Sequence, residues 1–482
     1  MGLTDQAEMY HNYICLNAFK TLVGKSPFPR LPCFRLITIH SMKPHPHILS
    51  AFRQEIYDWR LWAGRSVILA FAALSGLTVV AFTWLTEHAL ALFFHFERHY
   101  GWLPLLWTPA STAAIVWLTR KYAPGAAGSG IPQVMAALTP ESPPALRHMF
   151  VSMKLTVSKM LLSAWGLLAG LSLGREGPSV QIAAGVMRHA RRWLPKHSRI
   201  SEHDLLLAGG ATGIAAAFNT PLGGVMFAIE ELSRTPEQRS NGLLLAAIVL
   251  GGLMAVSVYG NATYFGIIRI EDLSFALLLP GLLVAVCSGV LGGLFARLLA
   301  VSLWGKSGDW LSRFRQKAPV RFAAICGLAI AVLGLVSQSS TYGSGYAHTR
   351  DMLEGGQDSA PFYVLFKFLA TWITTWAGVP GGIFAPSLAI GGALGNDIAH
   401  LTAYTNAPTL IAVGMAGFLA AVTQAPLTAF IIVMEMVDGH ALVLSLMASA
   451  LIASGVSRLI SMPLYKSLAE LQLLRLPTSP RT

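Results

Sequence analysis

The stretch Leu171-Ser172-Leu173-Gly174-Arg175-Glu176-Gly177-Pro178-Ser179-Val180-Gln181 sets a carboxylate and a guanidinium between two long apolar runs. A charge in such surroundings is costly unless it has a task. Pro178 fits the first turn of a helix, where its missing N–H costs nothing, and Gly174 and Gly177 let backbone approach closely. This places Glu176 at a helix N-terminus, whose free N–H groups and dipole form an anion site. If a dissolved anion occupies the same place, the Glu176 carboxylate competes with it, and protonation releases the place.

The flanking sequence says which solvent surrounds this stretch. The chain of 482 residues is 54% hydrophobic and 12% charged, with a mean hydropathy of +0.55, against a charged share of roughly 25% in soluble domains. Apolar runs recur at about 66–95, 102–118, 149–173, 204–229, 242–259, 273–304, 320–337, 361–378, 383–400, 408–437 and 441–461, several shorter or longer than the roughly 20 residues of one simple span. The 45 glycines and 26 prolines predict broken and re-entrant helices, tolerated in a bilayer only where protein or a water-filled cavity surrounds them. The fold class expected is an all-α polytopic membrane protein.

The net charge of +12 does not point to nucleic acid. Its basic residues fall between apolar runs, at Arg120 and Lys121, Arg188 to Arg199, Arg234 to Arg239, Lys306 to Arg321 and in both tails, as the positive-inside rule requires, which puts both termini in the cytoplasm. Four segments follow: a cytoplasmic tail over 1–58, a first membrane half over 59–260, a second over 261–466 and a short tail over 467–482. The N-terminal tail lacks a signal-peptide pattern, and Met42 is a possible translation start. His40, His45 and His47 read as part of an unordered tail rather than a metal site. Cys15, Cys33, Cys287 and Cys326 lack C-x-x-C spacing and read as free thiols. No cofactor is implied.

Along the membrane region several further residues stand out. Gly128-Ser129-Gly130-Ile131-Pro132 is a glycine-rich turn into a helix marked by Pro132, with a hydroxyl at Ser129 that suits either close packing or an anion. Lys159 lies within an apolar run and either snorkels or serves the site. Glu230 and Glu231 are adjacent, so on a helix they point about 100° apart and face different surroundings. Tyr465 follows the last apolar run, as an interfacial belt residue or as a donor to the same centre.

The second half echoes the first. Gly174 to Ile182 aligns with Gly382 to Ile390 at Gly, Pro, Ser and Ile, and Ala215 through Pro221 to Glu230 aligns with Ala420 through Pro426 to Glu435. Inverted repeats of this kind bring broken helices to a midplane site. In this register Glu176 meets Phe384 and Glu231 meets Met436, so these two acids are what the repeat does not require, while Glu230 and Glu435 read as structural.

Gly128-Ser129-Gly130-Ile131-Pro132, Gly174-Arg175-Glu176-Gly177-Pro178, Gly381-Gly382-Ile383-Phe384-Ala385-Pro386 and the late Tyr465, in this order over roughly 60–470, resemble the CLC family of chloride channels and chloride/proton antiporters. The resemblance implies a homodimer in a cell membrane, the prokaryotic inner membrane, with two inverted antiparallel halves per subunit. It implies that Ser129, Tyr465 and the backbone N–H groups of Ile383 and Phe384 bind chloride, with Gly128, Gly130, Pro132, Gly174, Arg175, Gly177, Pro178, Gly382 and Pro386 supporting the site. It further implies that Glu176 is gate and proton carrier and Glu231 the internal proton acceptor, which favours chloride/proton exchange over a passive channel. Gln133 and Met135 depart from the acidic residues of many members and leave the partner of Arg175 open, and the C-terminal nucleotide-binding domains of eukaryotic members are absent. A polytopic membrane enzyme would need a nucleophile with its base or a metal cluster, and neither an H-E-x-x-H nor a G-x-S-x-G is expected.

Overall fold

A computed structural model describes residues 59–140, 142–195, 198, 200–233, 242–260, 263–266, 275–305, 309–356 and 360–474. The expected tail over 1–58, with His40, His45, His47, Met42, Cys15 and Cys33, lies outside the described residues, as do Lys196, Arg199, residues 234–239, Lys306 and residues 475–482. A compact unit begins at Trp59, where the first membrane half was expected.

The first half runs α1 (Trp59–His99), α2 (Leu103–Tyr122), α3 (Ile131–Leu138), α4 (Pro144–Phe150), α5 (Met153–Leu168), α6 (Glu176–His189), α7 (Glu202–Phe218), α8 (Pro221–Phe227), a π-helical turn over Ala228–Ser233, and α9 (Gly242–Tyr259). The second runs α10 (Leu278–Trp304), α11 (Trp310–Lys317), α12 (Pro319–Val336), α13 (Tyr346–Leu353), α14 (Tyr363–Ala377), α15 (Phe384–Leu401), α16 (Ala407–Thr423), α17 (Pro426–Met436), α18 (Val443–Arg458) and α19 (Leu464–Leu474). Helix α19 carries Tyr465 and continues past 466, where the membrane half was expected to end.

Among the described residues five helices are long and apolar enough to cross a bilayer, at Leu61–His99, Gly242–Tyr259, Phe275–Trp304, Pro319–Val336 and His440–Arg458. On α10 both faces are apolar: Leu282, Val286, Val290 and Leu294 are exposed while Val284, Phe295 and Leu299 are buried. A helix with no polar face has lipid, not water, on its outside.

Two long apolar runs break as the prolines predicted. Asn219 and Gln424 each adopt a left-handed conformation at φ 58°, ending α7 and α16, and Pro221 and Pro426 start the next helices. The freed N–H groups are capped across the halves. Glu435 accepts from Leu222 N and Gly223 N at 3.1 and 2.7 Å, and Glu230 accepts from Leu427 N and Thr428 N at 3.1 and 2.6 Å. The exchange is reciprocal, at the positions the sequence repeat matches. The structure gives Glu230 and Glu435, which the repeat marked only as structural, the work of capping helix starts, where orphaned N–H groups need such acceptors.

The third long run, 149–173, also breaks. Ser152 caps α5 by accepting from Leu155 N at 3.4 Å, and after Leu168 the chain leaves the helix to enter the stretch around Glu176. Small residues let the remaining helices close up: a Cβ on Gly391 of α15 would lie 2.3 Å from the carbonyl oxygen of Gly414 on α16, a separation only glycine permits.

Candidate functional site

Three turns, each opening a helix, meet at the centre. Gly174 and Gly382 exchange backbone hydrogen bonds, N to O at 2.8 and 2.7 Å, in an isolated antiparallel bridge, and Gly381 N donates to Gly128 O at 3.1 Å. The three motifs separated by some 250 residues in sequence are therefore sewn together through main chain. Glycine is required at this density: a Cβ on Gly177 would sit 2.3 Å from Ser129 Oγ, and one on Gly382 would sit 2.9 Å from Gly177 N. Pro132, Pro178 and Pro386 all fall in the first turn of their helices, α3, α6 and α15, where a missing N–H is harmless.

Glu176 is the first residue of α6 and fully buried. Its Oε2 accepts from Ala385 N at 3.4 Å, at the start of α15, and its Oε1 has no hydrogen-bond partner. The carboxylate thus lies not only at the head of its own helix, as the sequence suggested, but against the head of a second one from the other half. Helix N-termini favour an anion there, and one long hydrogen bond leaves the group weakly held.

Ser129, Ile383 and Tyr465 line one small cavity of about 70 Å³. The Ser129 and Tyr465 hydroxyl oxygens are buried and have no hydrogen-bond partner. Tyr465 is fully buried, not an interfacial belt residue, and its ring stacks on Phe384 with centroids 5.9 Å apart. Ile383 caps α15 and Phe384 opens it, so their N–H groups are among those a helix leaves without an internal acceptor. Two orphaned hydroxyls beside such N–H groups make a cradle of partial positive charge, with Arg315 elsewhere on the lining of the same cavity, a setting for a weakly bound anion.

Lys159 does not snorkel. It is fully buried, and its Nζ donates to Ala126 O at 2.7 Å and Gly128 O at 2.6 Å, pinning the turn that carries Ser129. Gln133 finishes that turn, accepting from Gly130 N at 3.0 Å and donating to Ala127 O. Of the adjacent acids, Glu231 is 1% exposed in the π-helical turn while Glu230 faces α17, so the two occupy different surroundings as their spacing required.

The open partner of Arg175 is Glu87 of α1, with Nη1 to Oε1 at 2.7 Å, together with the Tyr264 hydroxyl at 3.0 Å from Nη2. Sequence reading missed both. Glu87 sat inside an apolar run and carried a signal, a lone acid in a lipid-facing helix, whereas Tyr264 lies in a segment with no periodicity. The expectation of no G-x-S-x-G was wrong, since Gly170-Leu171-Ser172-Leu173-Gly174 is one. Ser172 is buried and its hydroxyl is engaged with Thr371 Oγ1 at 2.9 Å, so it offers no exposed nucleophile. Among the described residues no group of three or more His, Cys, Asp or Glu could hold a metal, and Cys287 and Cys326 are free thiols.

Comparison with known proteins fits this geometry. The family described as voltage gated chloride channel matches residues 111–458. The H(+)/Cl(-) exchange transporter ClcA of Salmonella agona (strain SL483) is 31% identical over 422 residues, covering 82% of this chain and 85% of that protein. The crystal structure of a slow cyanobacterial Cl-/H+ antiporter superposes with a TM-score of 0.73 at 25% identity, over 86% of this chain and 98% of that one. A CLC-type fluoride/proton antiporter shares the fold, with a TM-score of 0.69 at 21% identity over 85% and 98% of the two chains. The all-helical unit, its three stitched glycine-proline turns and the buried acid among them belong to a member of the voltage-gated chloride channel (CLC) family.

Proposed function

We propose that this chain is a chloride/proton antiporter of a prokaryotic inner membrane, a homodimer with both termini in the cytoplasm and one ion pathway per subunit. The observation that carries the reading is the Glu176 carboxylate against Ala385 N–H, buried, with one oxygen unpartnered. It occupies an anion's place with an anion's charge. Chloride in the Ser129, Tyr465, Ile383 and Phe384 cradle and the carboxylate at the head of α15 then compete for neighbouring positive ends. Withdrawal from water disfavours a carboxylate's charged form, so a proton arriving with the opening of the site neutralises Glu176 and lets it leave. Chloride movement in one direction is thereby tied to proton movement in the other.

Glu231 supports exchange over a passive chloride channel on the same fold. It is a second buried acid, on the first half's broken helix, at a position where the matched residue of the second half is Met436. A channel has no use for a buried proton acceptor off the anion path. The names of the similar proteins, exchangers of protons and chloride, support the same choice, and no bond-making chemistry is required of any residue.

The test is a flux assay on protein reconstituted in vesicles. A chloride gradient drives protons uphill in the wild type, and in Glu176→Ala chloride flux persists while the uphill proton movement disappears. Full proton coupling in the alanine variant would remove the gate; chloride flux with no proton movement in the wild type would make the protein a channel.

A further inference from the structure

The arrangement that presents Ser129 has a second copy. In the first half the turn Gly128-Ser129-Gly130 leads into α3, Lys159 Nζ bonds to Ala126 O and Gly128 O, and the unpartnered Tyr465 hydroxyl lies in the same cavity. In the second half the turn Gly343-Ser344-Gly345 leads into α13, and Lys367 Nζ bonds to Thr341 O at 2.9 Å and Gly343 O at 2.8 Å. Here too the flanking glycines are left-handed, Gly343 at φ 67° and Gly345 at φ 86°, as Gly128 and Gly130 are at 76° and 109°. Lys159 and Lys367 hold the same position relative to Glu176 and Phe384, so the correspondence extends the repeat already seen at those residues.

The second turn also has polar groups waiting on it. Tyr363 is 1% exposed and its hydroxyl has no partner. The point a Cβ on Gly345 would occupy lies 2.5 Å from Ala389 Cβ, 3.1 Å from that hydroxyl and 3.2 Å from Lys367 Cε, so the hydroxyl and the lysine stem pack beside Ala389 against the turn. The ring of His348 lies against that of Tyr363 at 4.2 Å between centroids, and its Nε2 is buried without a partner. Lys367 is fully buried and, among the described residues, pairs with no carboxylate. A buried ammonium met only by two carbonyls is poorly compensated. Ser344 Oγ accepts from Tyr346 N at 3.3 Å, which leaves its own O–H proton for another acceptor.

The turn opens on space. Ser344, Gly345 and His348 line a cavity of about 640 Å³ that also reaches Arg175, next to the gate. The charged groups facing that cavity are Arg98, Arg175, Glu87, Glu97, Asp351 and His348. Glu87 is engaged by Arg175 and Glu97 by Ser339 Oγ, which reduces the repulsion an entering anion meets.

We propose that the turn Gly343-Ser344-Gly345, with Tyr363, His348 and Lys367, is a second anion site, for a monovalent halide, at the foot of the vestibule on the far side of Glu176 from the Ser129 cradle. It rests on the antiporter reading only for the identity of the anion. The repeat then supplies one waiting place on each side of the gate, the Ser129 turn on one face and the Ser344 turn on the other. The second place holds the next halide while Glu176 blocks the path.

The experiment is anomalous diffraction from crystals of the full chain grown in bromide. A bromide peak is expected within hydrogen-bond reach of Tyr363 Oη and the 343–345 turn, separate from any peak between Ser129 and Tyr465. Tyr363→Phe keeps the ring and removes the donor, and it should lower bromide affinity at this turn by about tenfold, the worth of one hydrogen bond to a charged ligand, with the Ser129 peak unchanged. Lys367→Met should abolish the peak. Where that variant does not fold, the tyrosine variant alone decides. No bromide at the turn in the wild type, or an unchanged peak in Tyr363→Phe, overturns the second site. A peak at the turn with none at Ser129 supports the second site and counts instead against the chloride cradle proposed above.

Discussion

The two halves do the same structural work with the same residues and different chemical work with different ones. Lys159 and Lys367 each tie two carbonyls of a glycine-serine-glycine turn, and Glu230 and Glu435 each cap a helix in the opposite half. At the matched helix starts one half has Glu176, a buried carboxylate, and the other Phe384, an aromatic ring packed on Tyr465 and facing Phe218 and Phe227 at centroid distances of 6.2 and 6.3 Å. What the halves share holds the backbone in place; where they differ, one half has an ionisable side chain and the other an aromatic ring.

That contrast is sharpest between neighbours. Glu231→Gln should abolish proton movement in vesicles while chloride still crosses, whereas Glu230→Gln should leave coupling intact and cost about 1 kcal/mol of stability, the worth of a helix-start acceptor. Proton pumping that survives in Glu231→Gln, or fails only in Glu230→Gln, would break the division between shared and unshared acids. Next in size, Lys159→Met should destabilise the protein by on the order of 1–3 kcal/mol for each carbonyl left without a donor, and should also weaken chloride binding, because the Ser129 turn loses its tie. Lys367→Met should show a similar shift in thermal unfolding with chloride affinity at the Ser129 cradle retained. Equal loss of that affinity in both would mean that the two turns are not independent. The smallest effect is expected at Glu87, whose side chain is half exposed. Glu87→Gln should change stability by less than about 1 kcal/mol, measured by thermal melting, since Tyr264 still holds the Arg175 guanidinium.

Much of the site was legible in the chain because it is written in residues with few other uses. Pro132 and Pro178 marked helix starts, and Glu176 stood out as a charge between apolar runs. The breaks at Asn219 and Gln424 followed from Pro221 and Pro426 two residues later. The Glu230 and Glu231 spacing forced two environments. What escaped notice was relational. Nothing local says that Arg175 finds Glu87 across 88 residues, or that the Glu176 carboxylate also meets the amide of Ala385 at the start of a helix in the other half. The Gly343-Ser344-Gly345 turn did match Gly128-Ser129-Gly130 letter for letter, but it lies at a spacing from Phe384 that differs from that of its counterpart to Glu176. A single fixed offset therefore passes over it.

The bridge between Gly174 and Gly382 constrains how the pathway can open. With each glycine's amide and carbonyl already spent on the other, and with Gly381 fastened to Gly128, the three loops have no slack to slide or rock without losing bonds that hydrocarbon cannot replace. The cheap motion left is a swing of one side chain about its own χ angles, a rotamer hop that costs a single 3.4 Å contact. Turnover would then be timed by the arrival of hydrogen ions, and cooling or stiffening the lipid should slow it far less than it slows carriers whose halves must tilt.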